Sequence, residues 1–158
     1  MAARGNTIVI ASNPQGKFLS GVVSGTPKPG TAMEIQTPFY RGNQHLWRAY
    51  QPGTDGDRRV VAVLIEDEEQ GIGIDTAFVD GTQCRLYCPI PGEELNMLYK
   101  NVAGTADDVL ALDMMILDSG TGKLIVTTGT PESEPFQALA AVTDPTEDVL
   151  IPCLYTGQ

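Results

Sequence analysis

The stretch Met114 to Gly129, MMILDSGTGKLIVTTG, holds at its centre Gly120-Thr121-Gly122-Lys123, residue types that can cradle a phosphate. A loop of that kind needs Gly, four spacers and then Gly-Lys-Ser/Thr, so that backbone N–H groups curl around the phosphates and a hydroxyl reaches magnesium. Here Leu117 stands at the first glycine position and Leu124 at the hydroxyl position. The β-branched run after Lys123 is also too short before Gly129-Thr130-Pro131 to form the required helix. Two apolar runs, Leu112 to Leu117 and Leu124 to Thr128, joined by an Asp/Ser/Gly link, are instead the signal of a β-hairpin. Asp118 with Gly120 or Gly122 then supplies the turn, and Lys123 opens the return strand. A surface pairing of Lys123 with a neighbouring carboxylate would contribute only ~0 to 1 kcal/mol.

Other reactive groups are sparse. The one histidine, His45, lies beside the one tryptophan in Arg41-Gly42-Asn43-Gln44-His45-Leu46-Trp47-Arg48, with no nucleophile signature around it. Cys84, Cys88 and Cys153 have no Cys-x2-Cys spacing for zinc. On a strand, Cys84 and Cys88 would sit roughly 13 Å apart, beyond disulfide reach, so all three read as buried apolar residues. Glu66-Asp67-Glu68-Glu69 lacks the alternating ligands of a calcium loop and reads as a solvated acidic turn. Glu93-Glu94 and Asp107-Asp108 carry no specific signal in an acidic protein. No catalytic, cofactor-binding or metal-ligating residue is assigned, and no cofactor is expected.

Twenty acidic against ten basic residues among 158 give a net charge of −10, which disfavours nucleic acid and anionic membranes as direct partners. No apolar stretch approaches the roughly 20 residues of a membrane helix, and the N-terminus does not read as a signal peptide. The three cysteines suit a reducing compartment.

The elements that must carry these residues are short. Seventeen glycines and eleven prolines are spread evenly, cutting the chain into apolar runs of roughly 5 to 8 residues. The runs are Thr7 to Ile10, Lys17 to Val23, Thr31 to Gln36, Arg59 to Ile65, Thr82 to Cys88, Glu93 to Tyr99, Leu112 to Leu117, Lys123 to Thr128, Phe136 to Val142 and Asp148 to Tyr155. They point to an all-β protein, an antiparallel sandwich or barrel of jelly-roll type. Val60 to Ile65 is apolar on both faces and suits a central strand, whereas Glu94 to Tyr99 alternates and suits one solvated face. Glu132 to Val142 competes as a helix, interrupted by Pro135. Residues 1–16 read as an extended arm ordered against a neighbour and 17–158 as a single β domain; no exact repeat is visible, only the repeated use of a Gly-led turn before a strand, as at Pro29-Gly30-Thr31, Asp80-Gly81-Thr82 and Pro91-Gly92-Glu93.

Four stretches together resemble the head decoration, or cement, proteins of tailed bacteriophages. They are Gly16-Lys-Phe-Leu-Ser-Gly-Val-Val-Ser-Gly-Thr-Pro-Lys-Pro-Gly-Thr31, Leu64-Ile-Glu-Asp-Glu-Glu-Gln-Gly71, Tyr87-Cys-Pro-Ile-Pro-Gly-Glu-Glu-Leu-Asn-Met97 and Asp118-Ser-Gly-Thr-Gly-Lys-Leu124. The resemblance implies a β-rich structural protein without catalytic residues, on the capsid exterior of a virion and made in the host bacterial cytoplasm. Its implied partners are the major capsid protein and further copies of itself, as a dimer or trimer, with no direct nucleic acid and no membrane contact. Such a protein would clamp the lattice of the expanded head through multivalent contacts. The residues expected at capsid or protomer contacts are Ile8, Val9, Ile10, Tyr40, Arg41, His45, Trp47 and Tyr50, with a core role the alternative for Trp47. Other readings are a tail or baseplate component, or a small ligand-binding barrel with its site in the barrel mouth.

Overall fold

The computed structural model describes residues 7–10, 14–41, 44–51, 61–100, 108–118, 120–126, 136–143, 145 and 147–157, with the backbone alone at 37–41 and 61. Ten strands follow one another: β1 Lys17–Val23, β2 Ala32–Arg41, β3 Gln44–Ala49, β4 Val61–Leu64, β5 Gln83–Cys88, β6 Glu94–Tyr99, β7 Met114–Leu117, β8 Leu124–Val126, β9 Phe136–Ala138 and β10 Val149–Tyr155. The protein is all-β, and the barrel alternative is the one it adopts. The first five strands close into one barrel in the order β1-β3-β2-β4-β5, and the last five into a second in the order β10-β6-β8-β7-β9. Pairing is antiparallel except for one parallel pair in each barrel, β1 with β3 and β6 with β8.

These two orders are one order. Going around each barrel, the first strand of the five lies between the third and the fifth, and the second between the third and the fourth. Register carries the match residue by residue. Leu19 faces Leu86 as Leu95 faces Cys153, Met33 faces Ala62 as Met115 faces Phe136, and Val23 faces Trp47 as Tyr99 faces Leu124. Bonds outside the ladders repeat as well: the Ser24 N–H donates to the Trp47 carbonyl at 2.7 Å, and the Lys100 N–H to the Leu124 carbonyl at 2.9 Å. The chain is therefore a tandem duplication of one five-stranded barrel in structure, although only a few matched positions, such as Leu19/Leu95 and Met33/Met115, keep their residue.

Nine strands fall on apolar runs of the sequence. The exception is β3, inside the segment read as contact surface; its polar Gln44, His45 and Arg48 hide a strand held by β2 through Ile35–Trp47 and Glu34–Arg48. In the stretch that competed as a helix, residues 136–138 form strand β9, and residues 132–135 lie outside the described residues.

The face logic of the central strands follows from the duplication. In β4, Ala62 and Leu64 fill the first barrel's core with Trp47, Met33 and Leu86, while Val63 and Ile65 join the cluster that contains Leu95, Met97 and Ile151 of the second. Side chains alternate across a strand, so a strand between two cores must be apolar on both faces. Strand β6 departs from the expectation of one solvated face, since Leu95 to Tyr99 are all buried. The cause is a cover supplied from elsewhere in the chain: the Asn96 N–H donates to the Ile8 carbonyl at 2.8 Å, the Ile10 N–H to the Glu94 carbonyl at 3.1 Å, and the Leu98 N–H to the Gly30 carbonyl at 3.0 Å.

Candidate functional site

The Gly-Thr-Gly-Lys turn sits at the junction of the two barrels. The Ala32 N–H of β2 donates to the Gly122 carbonyl at 2.8 Å, and the Gly120 N–H donates to the Tyr50 carbonyl at 3.1 Å. At Gly122, φ is +64° and a Cβ would lie 2.2 Å from the Ala32 carbonyl oxygen, so only glycine lets the turn come this close. The Asp118 carboxylate takes the Thr121 hydroxyl at 2.6 Å and the Lys100 ammonium at 2.9 Å, and Lys123 forms an ion pair with Asp148. Burial would raise the Asp118 carboxyl, but those hydrogen bonds and the charges of Lys100 and Lys123 hold it below its ordinary value. The amides of Gly120 and Gly122 and the lysine that mimicked a phosphate loop are thus engaged within the chain: the Gly120 amide and the Gly122 carbonyl dock one barrel on the other, while the Gly122 amide donates to the Asp118 carbonyl and Lys123 pairs inside the second barrel.

Beside this turn opens a cleft of about 680 Å³ between the barrels. Its walls include Lys28 and Lys123, the acids Asp75, Glu147 and Asp148, and apolar Leu98 and Leu150. Both signs of charge are present, so the cleft does not select one class of ion.

A second polar knot gathers at the five residues that link β5 to β6. Glu93 is 7% exposed, and its carboxylate accepts the Tyr87 hydroxyl at 2.6 Å, the Ile90 N–H at 2.9 Å, the Gln15 N–H at 2.5 Å and the Gly16 N–H at 3.1 Å. Burial alone would raise this carboxyl; donation by Tyr87, Ile90, Gln15 and Gly16 outweighs it and holds the group below its ordinary value. Burial, then the bond to Glu93, pushes the Tyr87 phenol up to about 12. The knot anchors the entry to β1 against the β5–β6 link.

The residues expected at partner contacts are dispersed by the structure. Ile8 is fully buried in the chain's own core, Val9 bridges Leu95 of β6, and Ile10 is half-buried beside it. Of the expected arm, residues 7–10 are therefore bridged to β6 of the chain's own second barrel, held also by the Glu66 carboxylate on the Ile8 N–H at 3.1 Å and by the Asn96 amide on the Thr7 carbonyl at 2.8 Å. Residues 1–6 and 11–13 lie outside the described residues. Trp47, 2% exposed, fills the first barrel, and Tyr50 is half-buried against the other core cluster. Tyr40 and Arg41 are the end of β2, paired with His45 and Gln44. Their side chains lie outside the description, and His45 is exposed.

Cys84 and Cys153 are buried and Cys88 is half-buried. Burial pushes the Cys84 thiol up to about 12 and raises the other two, the wrong direction for a nucleophilic thiolate. The acidic run is only partly solvated: Asp67 is buried and takes the Gln70 amide at 2.6 Å, while Glu68 and Glu69 are exposed.

Two features escaped the reading of residue types. Charge is unevenly divided: residues 94–158 contain ten acidic and two basic residues, a net of −8, while residues 1–93 contain ten and eight, a net of −2. Both lysines of the second barrel, Lys100 and Lys123, are in ion pairs. The largest exposed apolar side chains include Leu110 (61%) and Leu112 (65%), on one turn of that acidic barrel. Leu112 has φ +76°, the only non-glycine with positive φ among the described residues. No protein-family model matches the chain, and a comparison with curated proteins finds no match.

Proposed function

We propose that this protein is a structural binding module of the capsid-decoration type, which attaches to the outside of a phage head and stabilises the expanded major capsid protein lattice. The observation that carries the reading is how the polar groups are used. Glu93, Asp118 and Lys123, the residues best suited to chemistry, are engaged in hydrogen bonds and ion pairs within the chain, and the glycine turn fastens one barrel to its copy through its backbone, while exposed apolar side chains remain on turns. Two barrels joined by backbone hydrogen bonds across a shared core present a surface of fixed shape. On a symmetric lattice many modest footholds of such a surface act at high effective concentration. The strongly acidic second barrel fits a basic shell surface, and the four sequence stretches that resemble decoration proteins support the same reading.

The test is to mix purified protein with undecorated expanded capsids and with unexpanded precursors, then measure co-sedimentation and resistance of the shells to heat. Binding to expanded shells with a raised disruption temperature is expected. Failure to bind either shell overturns the proposal.

A further inference from the structure

We propose that the Leu110–Asp113 turn of the second barrel is a docking anchor for a protein surface that offers an apolar pocket rimmed by lysine or arginine. The duplication identifies the turn. In the first barrel, Lys28-Pro29-Gly30-Thr31 precedes β2; the Thr31 N–H donates to the Lys28 carbonyl at 3.3 Å, the Gly30 N–H to Leu64 at 2.8 Å, and the Leu64 N–H to Thr31 at 2.9 Å. In the second, Leu110-Ala111-Leu112-Asp113 precedes β7 with the same three bonds: Asp113 to Leu110 at 3.1 Å, Leu112 to Ala138 at 2.8 Å, and Ala138 to Asp113 at 2.8 Å. Gly30 and Leu112 are matched positions with matched backbones, φ +85° and +76°.

Their uses differ. The first turn is a docking element within the chain: Gly30 accepts the Leu98 N–H of β6, and a Cβ there would meet Leu150 at 2.6 Å. The matched turn is on the surface, and holds a leucine where the left-handed backbone favours glycine. Backbone strain at an exposed apolar side chain is unexplained by the fold, which would be better served by glycine; it is explained if the side chain is used. The turn is braced, with the Asp113 carboxylate accepting the Leu110 N–H at 2.7 Å, so the backbone that presents both leucines is set before binding.

Charge selects the occupant. The turn lies on the barrel of net −8, Asp113 is part of it, and no lysine or arginine occurs between Lys100 and Lys123. A second copy presenting the same acidic barrel would be repelled, whereas a basic rim around an apolar pocket complements the turn.

The inference rests on the capsid reading for the identity of the partner, and one experiment separates the two. Binding to undecorated expanded capsids is measured for the native chain, Leu112→Gly, Leu112→Met and Leu110→Ser/Leu112→Ser, with thermal unfolding of each free protein. Expected are a loss of about 10-fold or more in affinity for Leu112→Gly and roughly 100-fold for the double variant, with Leu112→Met near native. Free Leu112→Gly should unfold about 2 °C higher than the native chain, because glycine relieves the turn, so weaker binding cannot be assigned to damage. Association should also slow as salt is raised. If the double variant binds shells as tightly as the native chain, the anchor is overturned and the capsid reading stands. If the native chain binds no shell, both are overturned.

Discussion

The two barrels solve one packing problem in opposite ways. Val23–Trp47 matches Tyr99–Leu124 in the ladders, which makes Gly21 the counterpart of Met97. In the first barrel a Cβ on Gly21 would lie 2.4 Å from the Trp47 indole and 2.7 Å from the His45 carbonyl oxygen. The indole occupies the space above the first strand. In the second barrel the partner is the smaller Leu124, and Met97, fully buried, supplies volume from the first strand instead. Interiors are filled to crystal-like density, so the constraint acts on the summed volume of the pair and not on either residue. A duplicated fold can therefore be kept in register while its sequence repeat disappears.

The turn before the second strand gives the largest contrast. Gly30→Leu places at the first turn the residue the second turn tolerates, but here backbone atoms, Leu98 N at 3.1 Å and Asn96 O at 3.2 Å from the added Cβ, cannot withdraw. The loss should be about 4 kcal/mol or more from left-handed strain and overpacking together, read as a collapse of the urea midpoint. Leu112→Gly, the reciprocal exchange, should gain about 0.5 to 1 kcal/mol. Similar losses at the two positions would break the claim that the turns share a backbone and differ only in what lies beyond them.

A smaller effect, but a sharper test, comes from exchanging the interior pair. Gly21→Met alone overpacks the first barrel and should cost about 3 kcal/mol; Trp47→Leu alone leaves a cavity and should cost about 3 kcal/mol. Installed together they rebuild the second barrel's solution inside the first, and the double variant should recover about 2 kcal/mol relative to the sum. Strict additivity in denaturant melts would mean that the matched positions do not share one space.

These comparisons also show what could be read beforehand. Strand β1 was legible to its last residue, because Lys17 to Val23 is bounded by Gly16 and by Ser24-Gly25. The hairpin at Gly120–Lys123 was legible from its failed phosphate-loop pattern, since Leu117 and Leu124 are strand residues. Strand β3 was hidden, because its pairing is set by β2 and not by its own periodicity. The duplication was hidden for the reason Gly21 and Trp47 illustrate: compensating volumes leave no repeated letters. The burial of Ile8 was illegible too, as four small and apolar residues near a terminus do not reveal that β8 meets β6, some ninety residues on, only at Tyr99 and leaves the start of that edge to Val9. Leu112 was legible only as the first residue of an apolar run and Leu110 not at all; the backbone of Leu112 is what separates a surface turn from the start of a strand.

The smallest expected effect concerns the two polar knots, one around Glu93 at the β5–β6 link and one around Asp118 in the hairpin. Glu93 and Asp118 both have carboxyl groups held below their ordinary values of 4.5 and 3.8, so the folded chain binds fewer protons than the unfolded chain through that range. Stability contributed this way is present in full above the ordinary values and is lost as pH falls through the lowered folded ones. Urea midpoints should therefore be flat toward neutral pH and decline below about 4.5. The contributions of the knots should be separable, because their donors differ. At Glu93 four donors, three of them backbone N–H groups, converge on one buried carboxylate, a neutral-donor site insensitive to salt. Asp118 depends in part on the Lys100 and Lys123 charges, and Lys100 is 34% exposed, so added salt should weaken it. Glu93→Gln should flatten the acid decline equally at low and high salt, and Asp118→Asn should flatten it mainly at low salt. A salt dependence carried by Glu93→Gln instead would mean that charge contributes at the β5–β6 link and not at the hairpin.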